Sequence, residues 1–232
     1  MQFHKRSPEQ ISQNPLIGEC IQRITMLLYK MKSKNKQFNQ NEKKVIPQVN
    51  FCTQCGSPTE QGIPEGDDRI RQICTKCGFI HYHNPKMVVG SIPTWEDKIL
   101  LVKRAIEPCY GKWTLPAGYL ENGESVVDGA RRETREEANA TLGDMTPFGM
   151  FNLTQINQIY FMFYSDLLSA DFGAGHESLE VDLFTEDEIP WDEIAFKVIK
   201  LTLERFFEDR KANNFTFHME NLYFERSTKD RT

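Results

Sequence analysis

From residue 87 onward, short apolar runs alternate with turn residues, and a helical rhythm interrupts them twice. Residues 87–92 form one apolar run, 95–97 read as a turn, and 99–102 form a second run, which together predict a hairpin. Residues 113–115 predict a short strand leading through Pro116 to Gly118. Residues 150–153 and 158–168 predict two more, the second rich in aromatics and expected to cross the core. Residues 169–176, with Gly173 and Gly175, predict a loop, and 177–184 alternate enough for another strand. The first helical rhythm is Val126, Ala130, Thr134 and Ala138, a narrow stripe of small residues. Ser125 with Asp128 three residues on has the form of a capping box, so this helix is expected to start near Val126. The second rhythm spans 194–207, anchored by Val198, Ile199, Leu203, Phe206 and Phe207.

The first 47 residues read differently. Within 16–31, Ile17, Cys20, Ile21, Ile24, Leu27, Leu28 and Met31 share one helical face. Residues 32–44 are rich in Lys, Asn and Gln and predict a disordered linker. The expected organisation is therefore a basic extension over 1–47, a small module over 48–84, a main domain over 85–210 and a polar tail over 211–232.

Length and composition admit this division. A chain of 232 residues has room for one domain with a real core plus a small module. It is 39% apolar and 26% charged, and no run of 18 apolar residues exists that could span a membrane. The net charge of −5 hides an asymmetry: residues 1–50 carry nine Lys and Arg against three Glu, and the remainder carries 19 against 30 acidic residues. The acidic main portion argues against broad nucleic-acid binding, which depends on Lys and Arg neutralising phosphates. It allows a small phosphorylated substrate if metal ions screen the charge. A basic, acid-poor amphipathic N-terminus has the form of an organelle presequence; a docking helix, or translation starting at Met31, are the competing readings.

Four of the six cysteines change the picture further. Cys52 and Cys55, then Cys74 and Cys77, form two Cys-x-x-Cys pairs, each followed directly by a glycine (Gly56, Gly78) that permits a tight bend. Two such knuckles predict a tetrahedral four-thiolate site for Zn2+. Four thiolates leave no open position, so the zinc is expected to be structural, with His81 and His83 as bystanders. Unpaired thiols of this kind favour a reducing, intracellular compartment. Cys109 has no partner or base nearby and reads as a plain loop thiol.

The densest chemistry lies in residues 118–140. Glu133, Glu136 and Glu137 are spaced i, i+3 and i+4, so their carboxylates share a helix face. Three crowded anions call for a cation between them, and a hard oxygen-seeking ion such as Mg2+ fits. An ordinary solvated Glu/Arg helix would carry the same pairs, but the full spacing is more restrictive. Gly118, five residues, Glu124, seven residues, Arg132-Glu133, two residues, then Glu136-Glu137 arises by chance on the order of once in 10^7 windows. This is the signature of the Nudix hydrolases, and the chain resembles that family. Thr134 stands in an apolar slot of the signature. Asn139 stands where its second glycine falls; Asn tolerates the left-handed backbone that such a helix end needs.

The resemblance extends from Phe51 to about Phe217. It is similar to bacterial zinc-ribbon Nudix hydrolases and the plant plastid FAD pyrophosphatase, and more distantly to NADH pyrophosphatases. The matching residues include 74–78, Asn84-Pro85-Lys86, 113–119, Glu177 to Glu180, and Glu188 to Pro190. The resemblance implies an α/β protein: a Nudix α/β/α sandwich with a mixed sheet, preceded by a four-cysteine zinc ribbon. It implies hydrolysis, with Mg2+ or Mn2+, of the pyrophosphate bond of an ADP-linked dinucleotide to AMP and a second phosphate ester. FAD and ADP-ribose are the favoured substrates. NADH is less favoured, because the SQPWPFP segment of NADH pyrophosphatases is missing and residues 152–156 stand in its place. The expected metal ligands are Glu133, Glu136 and Glu137, with the Gly118 carbonyl as a further candidate. Glu124 is expected to tie loop to helix and Arg132 to orient a carboxylate. Glu136 and Glu180 are candidate general bases, Glu180 as a late-strand carboxylate, while Lys103 and Arg104 are candidates for neutralising a substrate phosphate. Ala138-Asn139-Ala140 favours a bacterial cytoplasmic protein, with organelle targeting as the alternative. A homodimer is possible. The competing function is a non-catalytic nucleotide- or RNA-binding regulator that uses the ribbon as its contact surface.

Overall fold

Two strands that begin as a hairpin and then part create the space in which the site is built. The computed structural model describes residues 48–223; the helix and linker expected within 1–47 lie outside them. Strand β4 (Lys86–Trp95) turns into β5 (Lys98–Arg104), yet the two pair only at Thr94–Ile99 and Trp95–Lys98. Beyond the turn they splay, and two short strands fill the gap: β6 (Trp113–Thr114) on β5 and β7 (Ala117–Tyr119) on β4. The other flank of β4 runs parallel to β9 (Gln158–Asp166), which pairs antiparallel with β8 (Thr146–Leu153). Strand β10 (Ser178–Phe184) closes one edge against β5, and β11 (His218–Asn221) lies parallel to β8 at the other. The sheet is therefore mixed, in the order β10-β5-β4-β9-β8-β11.

Side-chain alternation along these strands separates two packed faces. Val88, Ile92, Ile99, Leu101, Tyr160 and Met162 meet helix α2 (Lys197–Ala212) through Val198, Ile199, Leu203, Phe206 and Phe207. Val89 and Phe163 meet Ala130 of helix α1 (Val126–Ala138) on the opposite face, where Leu100 and Val102 also pack with Ala138. The small stripe is explained by this contact, since Ala130, Thr134 and Ala138 are fully buried. Small side chains let α1 lie close on the sheet, and the hydroxyls of Thr134 and Ser91, 2.6 Å apart, satisfy each other there.

Both ends of α1 are set by local chemistry. Ser125 caps the start by accepting from the Asp128 backbone N–H at 3.1 Å, while its hydroxyl donates to the Asp128 carboxylate at 2.6 Å. Asn139 ends the helix in the left-handed region, φ 49°. Helix α2 runs from Lys197 to Ala212, five residues past the end expected from its apolar anchors. Strand β11 was not expected at all. It falls in the stretch read as a polar tail, yet Glu220 accepts from Arg205 at 2.8 Å and His218 bonds Asp209 at 2.8 Å, both tying it to α2.

Ahead of this sheet, β1 (Thr59–Gly62), β2 (Arg71–Cys74) and β3 (Ile80–His81) form a separate three-stranded sheet carrying the cysteine knuckles. Among the described residues, no helix is long and apolar enough to cross a membrane.

Candidate active site and zinc ribbon

Strand β7 runs beneath the glutamate face of α1, and the contact is unusually close. A Cβ added at Gly118 would sit 2.4 Å from the Glu133 carboxyl carbon, so only glycine admits that carboxylate here. Arg132 then organises the acids around it. Its Nε and Nη2 grip both oxygens of Glu124 at 3.0 and 2.7 Å, and Nη1 reaches Glu133 at 2.7 Å and Glu136 at 3.1 Å. Nη2 also donates to the Tyr119 carbonyl at 3.1 Å, so one guanidinium ties loop, strand and helix together. Arg132 holds Glu124 down to about 2, well below the usual carboxylate range.

Glu137 has a poorer environment. Its carboxylate accepts a hydrogen bond from the Ala117 backbone N–H at 3.1 Å. Burial pushes its carboxyl up to about 8, and the neighbouring Glu133 and Glu177 add to the rise while Arg104 opposes it. Glu133 is raised as well, first by burial, with Arg132 pulling the other way. Two buried carboxylates and the exposed Glu136 thus share one face with less positive charge than they need. That donor set, all oxygen and anionic, fits a hard divalent cation held by Glu133, Glu136 and Glu137.

These groups line a cleft of about 930 Å³. Tyr119, Gln158 and Tyr160 line it together with Leu153 and Ile156, and Ile106, Phe196 and Val198 contribute further apolar surface. Burial holds the Tyr160 phenol at about 12, so it stays a neutral donor. Arg104 lines the same cleft with its guanidinium fixed, Nε donating to the Pro108 carbonyl at 2.8 Å and the plane 5.2 Å over the Phe196 ring.

Two residues proposed from sequence do not line it. Lys103 and Glu180 are register partners across β5 and β10, their side chains bonded at 2.9 Å. Consecutive strand residues face opposite ways, so Arg104 reaches the cleft and Lys103 instead lies over the Trp113 ring, 5.5 Å from its centre. An irregularity between Ser178 and Glu180 shifts the β10 register. The late carboxylate that does line the cleft is Glu177, one residue before β10, accompanied by His176. Sequence reading passed over Glu177 because it took strand position as the guide. The signal was the Gly173-Ala-Gly175 stretch just before it, which marks a backbone that passes close to something. A Cβ at Gly175 would lie 1.7 Å from the Glu136 carbonyl oxygen. Cys109 stays outside the cleft, its thiol donating to the Ala195 carbonyl at 3.5 Å.

In the ribbon, Cys52, Cys55, Cys74 and Cys77 bring all four sulfurs within 4.8 Å of one another, with separations of 3.5 to 3.7 Å for three of the pairs. A tetrahedral zinc with Zn–S bonds of about 2.3 Å needs sulfurs about 3.8 Å apart, so the cluster has the right size. Backbone N–H groups of Gln54, Lys76 and Cys77 donate to the sulfurs at 3.3 to 3.4 Å, as thiolates favour. Gly56 and Gly78 take φ +70° and +71°, the bend their places in the knuckles required.

The profile described as NUDIX domain matches residues 84–202, just over half of the chain. The chain belongs to the Nudix family. Residues 50–83 match the Nudix N-terminal zinc ribbon. A Nudix hydrolase from Nitrosomonas europaea is 52% identical, with TM-score 0.73, over 75% of this chain and 99% of that one. An ADP-ribose pyrophosphatase of Methanocaldococcus jannaschii is 29% identical over 126 residues, 51% of this chain and 73% of that protein. The NAD-capped RNA hydrolase NudC of Haemophilus influenzae is 28% identical over 171 residues, 70% of this chain. The match spans 63% of NudC, less than two thirds of its length. This Nudix protein is thus an α/β hydrolase with a mixed sheet and an N-terminal four-cysteine zinc-binding cluster.

Proposed function

We propose that the chain hydrolyses the pyrophosphate bond of an ADP-linked dinucleotide, FAD or ADP-ribose first, releasing AMP and a second phosphate ester. One observation carries this reading: Glu133, Glu136 and Glu137 share a cleft of about 930 Å³ with the fixed guanidinium of Arg104. A volume in that range suits a dinucleotide-sized ligand. Glu133, Glu136 and Glu137 are the ligands for Mg2+ or Mn2+, which when bound supplies positive charge to phosphate oxygens and acidifies water. Arg132 keeps Glu133 and Glu136 aimed. Arg104 neutralises a phosphate oxygen, and its anchors mean little ordering is needed when substrate arrives. Glu177 takes the part expected of Glu180, orienting the attacking water or accepting its proton. Tyr119, Tyr160 and Phe196 offer flat apolar surfaces to the rings at the two ends of the substrate. The ribbon cysteines, which form no disulfide with one another, suit a reducing compartment.

The similarity to a NAD-capped RNA hydrolase keeps NAD-type substrates in the test. Purified protein is incubated with FAD, ADP-ribose, NADH and NAD-capped RNA in Mg2+ or Mn2+, and AMP or the decapped 5′-phosphate RNA is measured. The expected result is AMP from FAD or ADP-ribose, with Glu137→Gln lowering kcat about 100-fold or more. No turnover of any substrate with metal present sinks the proposal. Salt-dependent RNA binding that survives Glu137→Gln, in a parent that hydrolyses nothing, establishes the regulator instead.

A further inference from the structure

The loop that carries Glu177 is strapped across the C-terminal end of α1. The last carbonyls of a helix have no partner inside it. Here the loop supplies them: Gly173 N–H donates to Ala138 at 2.9 Å and Gly175 N–H to Glu137 at 2.9 Å. Asn139 adds the reverse connection. Its side-chain Nδ2 donates to the Gly173 carbonyl at 3.2 Å and the Ala174 carbonyl at 3.1 Å. Its own backbone N–H closes the helix on Arg135 at 3.0 Å. Two residues further on, the Glu177 carbonyl accepts from Ala105 at 2.8 Å, which joins the strap to β5 next to Arg104.

Left-handed backbone is the only demand that helix termination makes at position 139, and glycine meets it with less strain than asparagine. The asparagine amide goes beyond that demand. It supplies two side-chain hydrogen bonds that run from helix to loop, on the segment that brings Glu177 into the same cleft as Glu133, Glu136 and Glu137. We propose that Asn139 is a positioning residue: its amide pins Gly173 and Ala174 so that Glu177 is held over the carboxylates of α1. This inference rests on the proposed hydrolase reading for its effect on turnover, and on geometry alone for its effect on the loop.

Two variants separate these. Asn139→Gly keeps the left-handed helix end and removes the amide; Asn139→Asp keeps the shape and replaces the donor with an acceptor facing two carbonyls. Amide hydrogen exchange across residues 171–178, thermal melting, Mn2+ affinity by paramagnetic resonance, and kcat and KM for ADP-ribose and FAD are measured for each. Both variants are expected to exchange faster across the loop, with the melting point of Asn139→Gly held. In both, kcat falls about tenfold while KM and Mn2+ affinity change little, since small misplacements of a catalytic group are costly. In a double-mutant cycle, Asn139→Gly is expected to cost nothing further once Glu177→Gln is present, because the amide acts through that carboxylate. Unchanged loop exchange in Asn139→Gly overturns the proposal. So does faster exchange with unaltered kcat, or a full additive loss in the double variant. A parent inactive toward every substrate defeats the hydrolase reading, and the clamp then stands or falls on the exchange result.

Discussion

Gly118 and Glu124 show how single positions hold the carboxylates of α1 in place. Gly118 lies outside the left-handed region, so alanine there meets no backbone penalty, and its methyl group collides with the Glu133 carboxylate. Gly118→Ala is therefore expected to fold, to displace Glu133 from Arg132, and to lose about tenfold or more in kcat. Equal turnover in the two proteins, with equal melting points, would show that the close approach is not needed. Glu124 works at longer range, through Arg132. Its folded value of about 2 lies below the ordinary 4.5, so its contribution to stability is complete above pH 4.5 and disappears as pH falls toward 2. Glu124→Gln removes the charge at every pH. Its melting point is expected to lie below that of the parent at pH 7, and the gap to narrow as pH drops below 4.5. A gap independent of pH between 3 and 7 would mean that Glu124 contributes by packing instead.

At the scale of elements, what the sequence disclosed depended on whether the cause was local. The limits of α1 follow from Ser125 and Asn139, each acting within its own turn, and both were readable one residue at a time. The cysteine knuckles were readable for the same reason: two residues between sulfurs and a glycine after them leave few other geometries. The splayed hairpin was half legible. Runs at 87–92 and 99–102 announced β4 and β5, but nothing local says that they part after Thr94 and Ile99 to admit β6 and β7. The fold and the glutamate face of α1 thus came through, while the walls of the cleft did not. Whether Arg104 or Lys103, and Glu177 or Glu180, faces the cleft depends on strand register, where one residue reverses every side chain. Strand β11 was the least legible element. Four residues, His218 to Asn221, carry no periodic signal, and they become a strand because β8 offers an unpaired edge and α2 offers Asp209 and Arg205.

In the molecule as a whole, the carboxylate cleft and the far sheet edge lie on different parts of the sheet, which makes stability and turnover separable. The carboxylates and Arg104 of the cleft draw on α1, β5 and the loop before β10, and its apolar wall on β9, Leu153 at the end of β8 and Val198 at the start of α2. The far edge draws on the C-terminal part of α2, the outer flank of β8 and β11. There the Asp209 carboxylate is buried and accepts from the Thr216 N–H at 3.0 Å as well as meeting His218. Phe215 stacks on Tyr164 at 5.0 Å and lies 5.3 Å from Phe206, and the His218 ring lies 4.9 Å from Phe148. Ending the chain after Asn213 removes these partners together. Asp209 loses its Thr216 and His218 partners, β8 becomes an open edge, and three core aromatics lose cover. Losing the hydrogen bonds to one carboxylate costs about 1–3 kcal/mol, and an open edge beside apolar side chains invites association. The truncated protein is expected to melt well below the parent and to aggregate at lower denaturant. Its kcat on ADP-ribose or FAD, measured per folded molecule below the melting transition, is expected to stay within about threefold, since Glu133 and Glu136 are held by Arg132, and Arg104 by Pro108, and not by the removed segment. A truncation that melts like the parent would show that the edge contacts contribute little. A kcat lost in proportion at temperatures where the protein is still folded would show that the far edge supports the cleft after all.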